Sequence, residues 1–376
     1  MSWRLFVVMA VAWMYVALRF GRYLPGGPGL RIAAIIALLL IAQHHQITSR
    51  FFGSLASPEL PRWLLVALGW AFGSFLLLAL LLVLRDVAGG LLFVLSRRAG
   101  GIVLGPGAAM GTGVAAAVLG LVGTWQGLKV PAVRTVHVTL PGLPPAFNGY
   151  RLVQLSDLHA QRLLPARWQR RVVDRTNGLG ADLIVITGDL QDGTPAARAA
   201  DVAPLADLKA RDGVLAVPGN HEYYADYRAW MAAFKRLGLL MLVNRHVRIE
   251  RDGQAIAVAG LADHQARAFG MPVPDIGAAL AGIPAGMPII LLQHQPRSAR
   301  DNAQAGVALQ LSGHAHGGQI WGVSLLARRA NNGFLAGLYQ VGSMQLYVSR
   351  GTGLWNGLIL RLGVPSEITE LVLRPG

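Results

Sequence analysis

The chain has 376 residues, 53% of them hydrophobic, with 34 Lys+Arg against 19 Asp+Glu, a formal charge of +15 and no cysteine. That length accommodates a membrane region plus one soluble domain, and the lack of Cys excludes disulfides, thiolate chemistry and Cys-type zinc sites. The basic total does not read as nucleic-acid binding, because no charge run or interleaving of basic with aromatic residues accompanies it.

Composition shifts near residue 145. The first 144 residues hold 11 of the Lys+Arg but only two acids, Glu59 and Asp86, and the basic residues sit in gaps between apolar runs, where they face lipid head groups. The apolar runs cover residues 5–18, 32–42, 63–84 and 102–125. The last two reach the ~20 residues that cross a bilayer core, and flanking residues lengthen the first two into the interface. The pattern predicts about four transmembrane helices, with three as the alternative. None of the four runs contains Asp, Glu, Lys or Arg, which favours an anchor over a transporter or proton relay. Residues 87–95, between Arg85 and Arg97-Arg98, read as an interfacial helix, and His44-His45 as an interfacial pair at a span's end. Gly105, Gly107, Gly111 and Gly113 would permit close helix approach. An even number of spans puts the N-terminus and the soluble domain on one side, with Arg4, Arg50, Arg62, Lys129 and Arg134. The other side carries Arg19, Arg22, Arg31, Arg85, Arg97 and Arg98. That bias predicts a multi-pass protein of the cytoplasmic membrane whose soluble domain lies outside the cytoplasm.

The expected layout is an anchor over 1–130, a linker and first strand over 131–150, and a soluble domain over 151–376. Strands are predicted at 152–155, 183–187, 214–217, 256–259, 289–292 and 307–311, and helices at 166–176, 196–209 and 227–236. Their alternation is the mark of an α/β layered domain. Five of the strands run into loops rich in metal-type ligands: Asp157-Leu158-His159; Gly188-Asp189-Leu190-Gln191-Asp192; Gly219-Asn220-His221-Glu222; Gln293-His294-Gln295; and Gly313-His314-Ala315-His316-Gly317-Gly318. In open α/β sheets ligands collect at the carboxyl ends of strands, so five such loops can converge on one point. A mixture of His and carboxylate suits first-row divalent ions. Each motif alone is more often a turn or a satisfied polar pair; the joint order is what carries the reading. His44, His45, His137, His246 and His264 have no such setting, although His264 could line the cleft.

These residues resemble the calcineurin-like metallophosphoesterase superfamily, whose pattern of D-x-H, G-D-x-x-D, G-N-H-D/E, a single His and G-H-x-H is present in full between Asp157 and His316. The segments 155–159 and 313–319, with the late Ser349-Arg350-Gly351-Thr352-Gly353, look like its branch of bacterial membrane-associated phosphodiesterases, which includes enzymes acting on UDP-diacylglucosamine. Ala315 stands where that branch often has Thr, and Arg297 where an acid is common. The resemblance implies a four-layer α/β/β/α sandwich and two divalent metal ions, which could be Mn, Fe, Ni or Zn. It implies that Asp157, His159 and His316 hold one, that Asn220, His294 and His314 hold the other, and that Asp189 bridges them. His221 matches the catalytic histidine, with Asp192 or Glu222 as its orienting carboxylate. Arg350 is a candidate phosphate clamp. The expected reaction is hydrolysis of a phosphodiester or pyrophosphate by a metal-activated hydroxide, with membrane lipid as a partner and a lipid-linked substrate favoured by tethering. Soluble nucleotides are the alternative substrate. A non-catalytic scaffold that keeps the fold is the alternative class.

Overall fold

In chain order the helices of the N-terminal region are α1 (Trp3–Arg19), α2 (Pro28–Ala42), α3 (His44–Phe51), α4 (Arg62–Leu95), α5 (Arg97–Leu104) and α6 (Pro106–Leu128). The computed structural model describes residues 3–54, 56–322, 324, 328–329 and 331–376. It divides into two units, one of Met1–Gly127 with Asn356–Leu362, the other of Leu128–Trp355 with Gly363–Gly376. Among the described residues three helices are long and apolar enough to cross a membrane: Trp3–Tyr23, Arg62–Leu95 and Pro106–Leu128. The pair α2 and α3, bent by 59°, is a fourth only if taken as one span.

Two expectations change here. Residues 87–95 are not a separate interfacial helix but the last turns of the 34-residue α4. The charges that looked like a break are paired: Arg85 Nη2 lies 2.6 Å and Arg19 Nε 2.5 Å from the Asp86 carboxylate, and Tyr15 donates to it at 2.8 Å. The run 102–125 is interrupted at Gly105-Pro106, where proline lacks the N–H that would continue α5. His44 and His45 are buried, one ring nitrogen set against Ile41 O and the other residue's against Gly357 O. Of the glycines expected to permit close helix approach, Gly113 does so, since a Cβ there would press on Phe20, as one at Gly120 or Gly123 would on Ser74 or Leu360; Gly107 and Gly111 face open space. The segment Asn356–Leu362 is grouped with the helical unit.

The second unit contains β1 (Ala132–Leu140), β2 (Arg151–Leu155), α7 (Ala166–Asn177), β3 (Leu183–Thr187), α8 (Pro195–Val202), β4 (Val214–Val217), α9 (His221–Tyr224), α10 (Tyr227–Arg236), β5 (Leu240–Met241), β6 (Arg245–Arg251), β7 (Gln254–Gly260), α11 (Ile276–Leu280), β8 (Ile289–Leu292), α12 (Ala299–Gln304), β9 (Leu309–Ser312), β10 (Gly337–Val341), β11 (Met344–Val348) and β12 (Glu367–Pro375). The helix expected over 196–209 stops at Val202 and continues as a 3₁₀ turn through Ala203–Asp207. Two six-stranded sheets result, ordered β1-β12-β2-β3-β4-β5 and β10-β11-β9-β8-β7-β6. Both are mixed: β2 to β5 run parallel, as do β7, β8, β9 and β11, while β12 meets β2 and β6 meets β7 antiparallel.

The central strands β3, β8 and β9 are buried throughout, as expected for parallel strands covered on both faces. One apolar cluster joins side chains of both sheets, among them Leu152, Leu183, Leu215, Ile256, Ile290 and Leu309. A second joins the other face of the second sheet, through Ala257, Leu291 and Leu346, to Ala279 of α11 and Ala299 of α12. Each buried Leu or Ile contributes roughly 1.5–3 kcal/mol. The carboxyl ends of β2, β3 and β4 in one sheet and β8, β9 and β11 in the other are thereby fixed, and all six carry the loops discussed next.

Candidate metal centre

The loop after β2 is tied to that after β3, and the loop after β8 to that after β9, by their backbones before any side chain is considered. Asp157 N donates to Gly188 O at 3.0 Å, His159 N to Asp189 O at 3.0 Å, and Gly313 N to His294 O at 2.9 Å. The backbone is also held where L-residues seldom go: Asp157, His159, Asp189, His314 and His316 all have positive φ, between 43° and 71°. Such conformations are costly and persist where the surroundings over-determine them, which is typical of functional sites. Close approach matters as well, since a Cβ at Gly219 would collide with Asp189 Oδ1 and lie 2.5 Å from Asp189 N.

Among the described residues three overlapping groups of donor atoms follow: Asp157, His159 and His316; His159, Asp189 and His221; Asp189, His294 and His314. Within each, the atoms lie no more than 4.8 Å apart. Asp189 Oδ2 is 3.2 Å from His294 Nε2, 3.7 Å from His159 Nε2 and 3.9 Å from His221 Nε2. His316 Nε2 is 3.4 Å from Asp157 Oδ1, and His314 Nδ1 is 3.3 Å from His294 Nε2. Asn220 turns its amide nitrogen to the Tyr224 hydroxyl (3.2 Å) and its Oδ1 toward His294 Nε2 (3.1 Å). The donor set fits divalent cations. Asp157, His159, Asp189 and His294 are buried, yet His159 Nε2 has no hydrogen-bond partner. A buried orphan nitrogen aimed at a carboxylate is costly unless a cation joins them.

Surrounding groups orient these donors. Asp192 Oδ1 accepts from Nδ1 of both His159 (3.1 Å) and His221 (2.5 Å). His294 Nδ1 donates to Thr187 O at 2.8 Å, which leaves Nε2 facing inward. Ser156 Oγ donates to Asp157 Oδ2 at 2.6 Å. Of the two carboxylates considered as a partner for His221, Asp192 makes the contact. Glu222 instead accepts from the backbone N–H groups of Gly219, Asp189 and Leu190 and so braces the loops. Ser156 and Tyr224 were not singled out in the sequence. Their only signal was adjacency to, or a one-turn spacing from, a predicted ligand.

Burial pushes the Asp189 carboxyl up, but His294, His221 and His159 outweigh it and hold the group well below the usual carboxylate range. Burial lowers His221, but Asp189 and Asp192 outweigh it and raise the ring to about 9. Glu222, buried beside Asp189, is pushed up to about 7. Burial and the neighbouring His294 bring His314 down to about 4.

Arg350, in the loop after β11, is partly exposed, and its Nε lies 3.8 Å from Glu367 Oε2. His264 lies outside the ligand cluster, its Nε2 3.1 Å from Ser298 Oγ, in a cavity lined also by Gln293 and Asp301.

Comparison with known proteins identifies the family. The family model described as calcineurin-like phosphoesterase matches residues 150–318. A "Transmembrane protein with metallophosphoesterase domain" of Danio rerio is 34% identical over 353 residues, covering 90% of this chain and 80% of that protein. A Bos taurus protein described in the same words is 39% identical over 68% of this chain and 60% of its own length. An "Uncharacterized metallophosphoesterase" of Helicobacter pylori is 35% identical over 67% of this chain and 66% of its own. With the apolar helices and the histidine and aspartate clusters already described, these likenesses place the chain in the calcineurin-like metallophosphoesterases, hydrolases acting on phosphoric esters.

Proposed function

We propose that the chain is a membrane-anchored phosphodiesterase or pyrophosphatase with a dinuclear metal centre, acting on a lipid-linked substrate outside the cytoplasm. The observation that carries this reading is the overlap of the donor groups at Asp189, whose Oδ2 lies within 3.7 Å of ring nitrogens from both His159 and His294. One carboxylate shared by two sets of ligands is what a bridging position requires. Asp157, His159 and His316 would hold one cation, Asn220, His294 and His314 the other, and Asp189 both. Bound divalent ions supply Lewis-acid neutralisation of phosphoryl oxygens and acidify water.

The chain's own residues supply the rest. Asp192 fixes the His221 ring through Nδ1, so Nε2 faces the ligand cluster and is the atom that delivers a proton to the leaving oxygen as the P–O bond breaks. Asn220 contributes a neutral oxygen, which limits negative charge next to an anionic ester. The reading takes the second unit as an α/β/β/α sandwich and counts α2 with α3 as a fourth span, which returns the chain to the side of its N-terminus. Tethering then raises the local concentration of lipid targets.

Two variants test the centre. Asp189→Asn is expected to lose hydrolysis of bis-p-nitrophenyl phosphate together with bound metal, whereas His221→Ala loses turnover and keeps metal. Full activity in either would sink the assignment. A topology reporter fused at Gly376 tests sidedness, and reporter activity on the cytoplasmic face would remove the extracytoplasmic substrate pool.

A further inference from the structure

One residue beyond the His316 position a second recess begins. It encloses about 410 Å³ and is lined by Gly317, Trp321, Arg328, Leu335, Arg350 and Val364 among others. Its proximity to the centre is built into the backbone. Thr352 N donates to Ser156 O at 2.7 Å and Gly353 N to Asp157 O at 2.9 Å, so the loop carrying Arg350 lies along the loop carrying Asp157. The stem of Arg350 packs over Gly317: a Cβ there would come within 3.2 Å of Arg350 Cγ and 2.6 Å of Val364 Cγ1.

The chemistry of the recess is two-sided. Leu335 and Val364 are nearly buried and form an apolar floor, while the Trp321 indole stands 80% exposed. Arg350 and Arg328 bring two guanidiniums. The carboxylate beside Arg350, Glu367, is shared with Arg134 at 3.5 Å, so that three-residue group keeps a net positive charge. A purely apolar ligand would leave the arginines unused, and a compact phosphate would leave the indole and the floor unused. A phosphoester with an apolar substituent uses both.

We infer that this recess binds the apolar substituent of an amphiphilic phosphoester while its phosphate reaches the metal centre, with Trp321 setting the preference for long chains and Arg328 and Arg350 attracting the anion. The inference rests on the phosphoesterase reading above and assigns the site that takes the apolar part of that centre's substrate. It is tested with methyl p-nitrophenyl phosphate and octyl p-nitrophenyl phosphate, which share a leaving group and differ only in the chain. Metal-loaded full-length protein is assayed in detergent at one fixed concentration, so that partitioning is common to all variants. The wild type is expected to favour the octyl ester in kcat/KM by at least ~10-fold, the scale on which a hydrophobic pocket discriminates. Trp321→Ala, at an exposed position, brings that ratio close to one, and Arg328→Glu raises KM for both esters. Equal kcat/KM for the two esters in the wild type, or an unchanged ratio in Trp321→Ala, overturns the recess as the chain site and leaves the phosphoesterase reading standing. Failure to hydrolyse either ester overturns both.

Discussion

The Asp192 carboxylate grips the His221 ring, Oδ1 lying 2.5 Å from Nδ1, and the same oxygen holds His159 at 3.1 Å. One acid therefore orients both a proposed ligand and the proposed proton donor. Replacing it with asparagine keeps the volume but removes the charge that fixes both rings as Nδ1 donors. Asp192→Asn is expected to lower kcat by ~10²-fold or more and to weaken metal binding by roughly 10–100-fold. Saturating metal restores the second loss and not the first. Activity measured against metal concentration separates them, and complete rescue by metal would limit Asp192 to its role at His159.

Gly219 makes a different kind of demand. Its α-carbon passes so close to Asp189 that any side chain would displace the carboxylate proposed to bridge. Gly219→Ala is therefore expected to cut activity by ~10²-fold or more, the scale of a 1 Å misplacement at a reacting centre, and to lower metal content. The sheets do not depend on this contact, so circular dichroism should match the wild type. Normal metal content with normal turnover would show that the two loops can separate freely.

The ligand loops were legible in the sequence because each follows a short run of Val, Leu and Ile and places its polar residues at a turn. Asp189 follows the fully buried β3, and His294 the fully buried β8. What spacing does not show is where a carboxylate points. Asp192 and Glu222 were equal choices for His221 until their partners were seen. The strands missed were β5, β6, β10, β11 and β12: β5 is only two residues long, β6 carries exposed arginines and β10 has no buried residue, whereas β11 and β12 are largely buried but have Gln, Thr or Glu among their apolar residues. Missing β11 hid the fact that Arg350, like the ligands, sits at a strand's carboxyl end. In the helical unit Arg85 and Asp86 read as a boundary because sequence alone does not reveal Arg19, 67 residues away, as the partner of Asp86.

Removal of metal tests the centre without mutation. Dialysis against a chelator is expected to abolish hydrolysis and lower the melting temperature, and added divalent cation restores both. A cation present at ~100 times its Kd contributes about 2.7 kcal/mol to the folded state. An undiminished rate after chelation, with metal analysis reading zero, would contradict the proposed centre.

Asp182, at the start of β3, offers a pH-dependent prediction far from the metal ligands. Its carboxylate accepts from Arg151 N at 2.8 Å and from Arg251 Nη2 at 2.8 Å, and lies 3.5 Å from Arg211 Nη1. Burial pushes its pKa up, but the Arg151 amide and the Arg251 guanidinium outweigh this and lower it in the folded state. A folded pKa below the unfolded value means that the contribution is full above about pH 4, the unfolded carboxylate range. It is lost as pH falls through the folded pKa. After solvent screening the pairing is worth about 1 kcal/mol, or a shift of roughly 2–4 °C in a domain of this size. Asp182→Asn is thus expected to melt that much below the wild type at pH 7, with the gap closing toward pH 3. A gap that stays constant across this range would assign the effect to packing rather than to the carboxylate's charge.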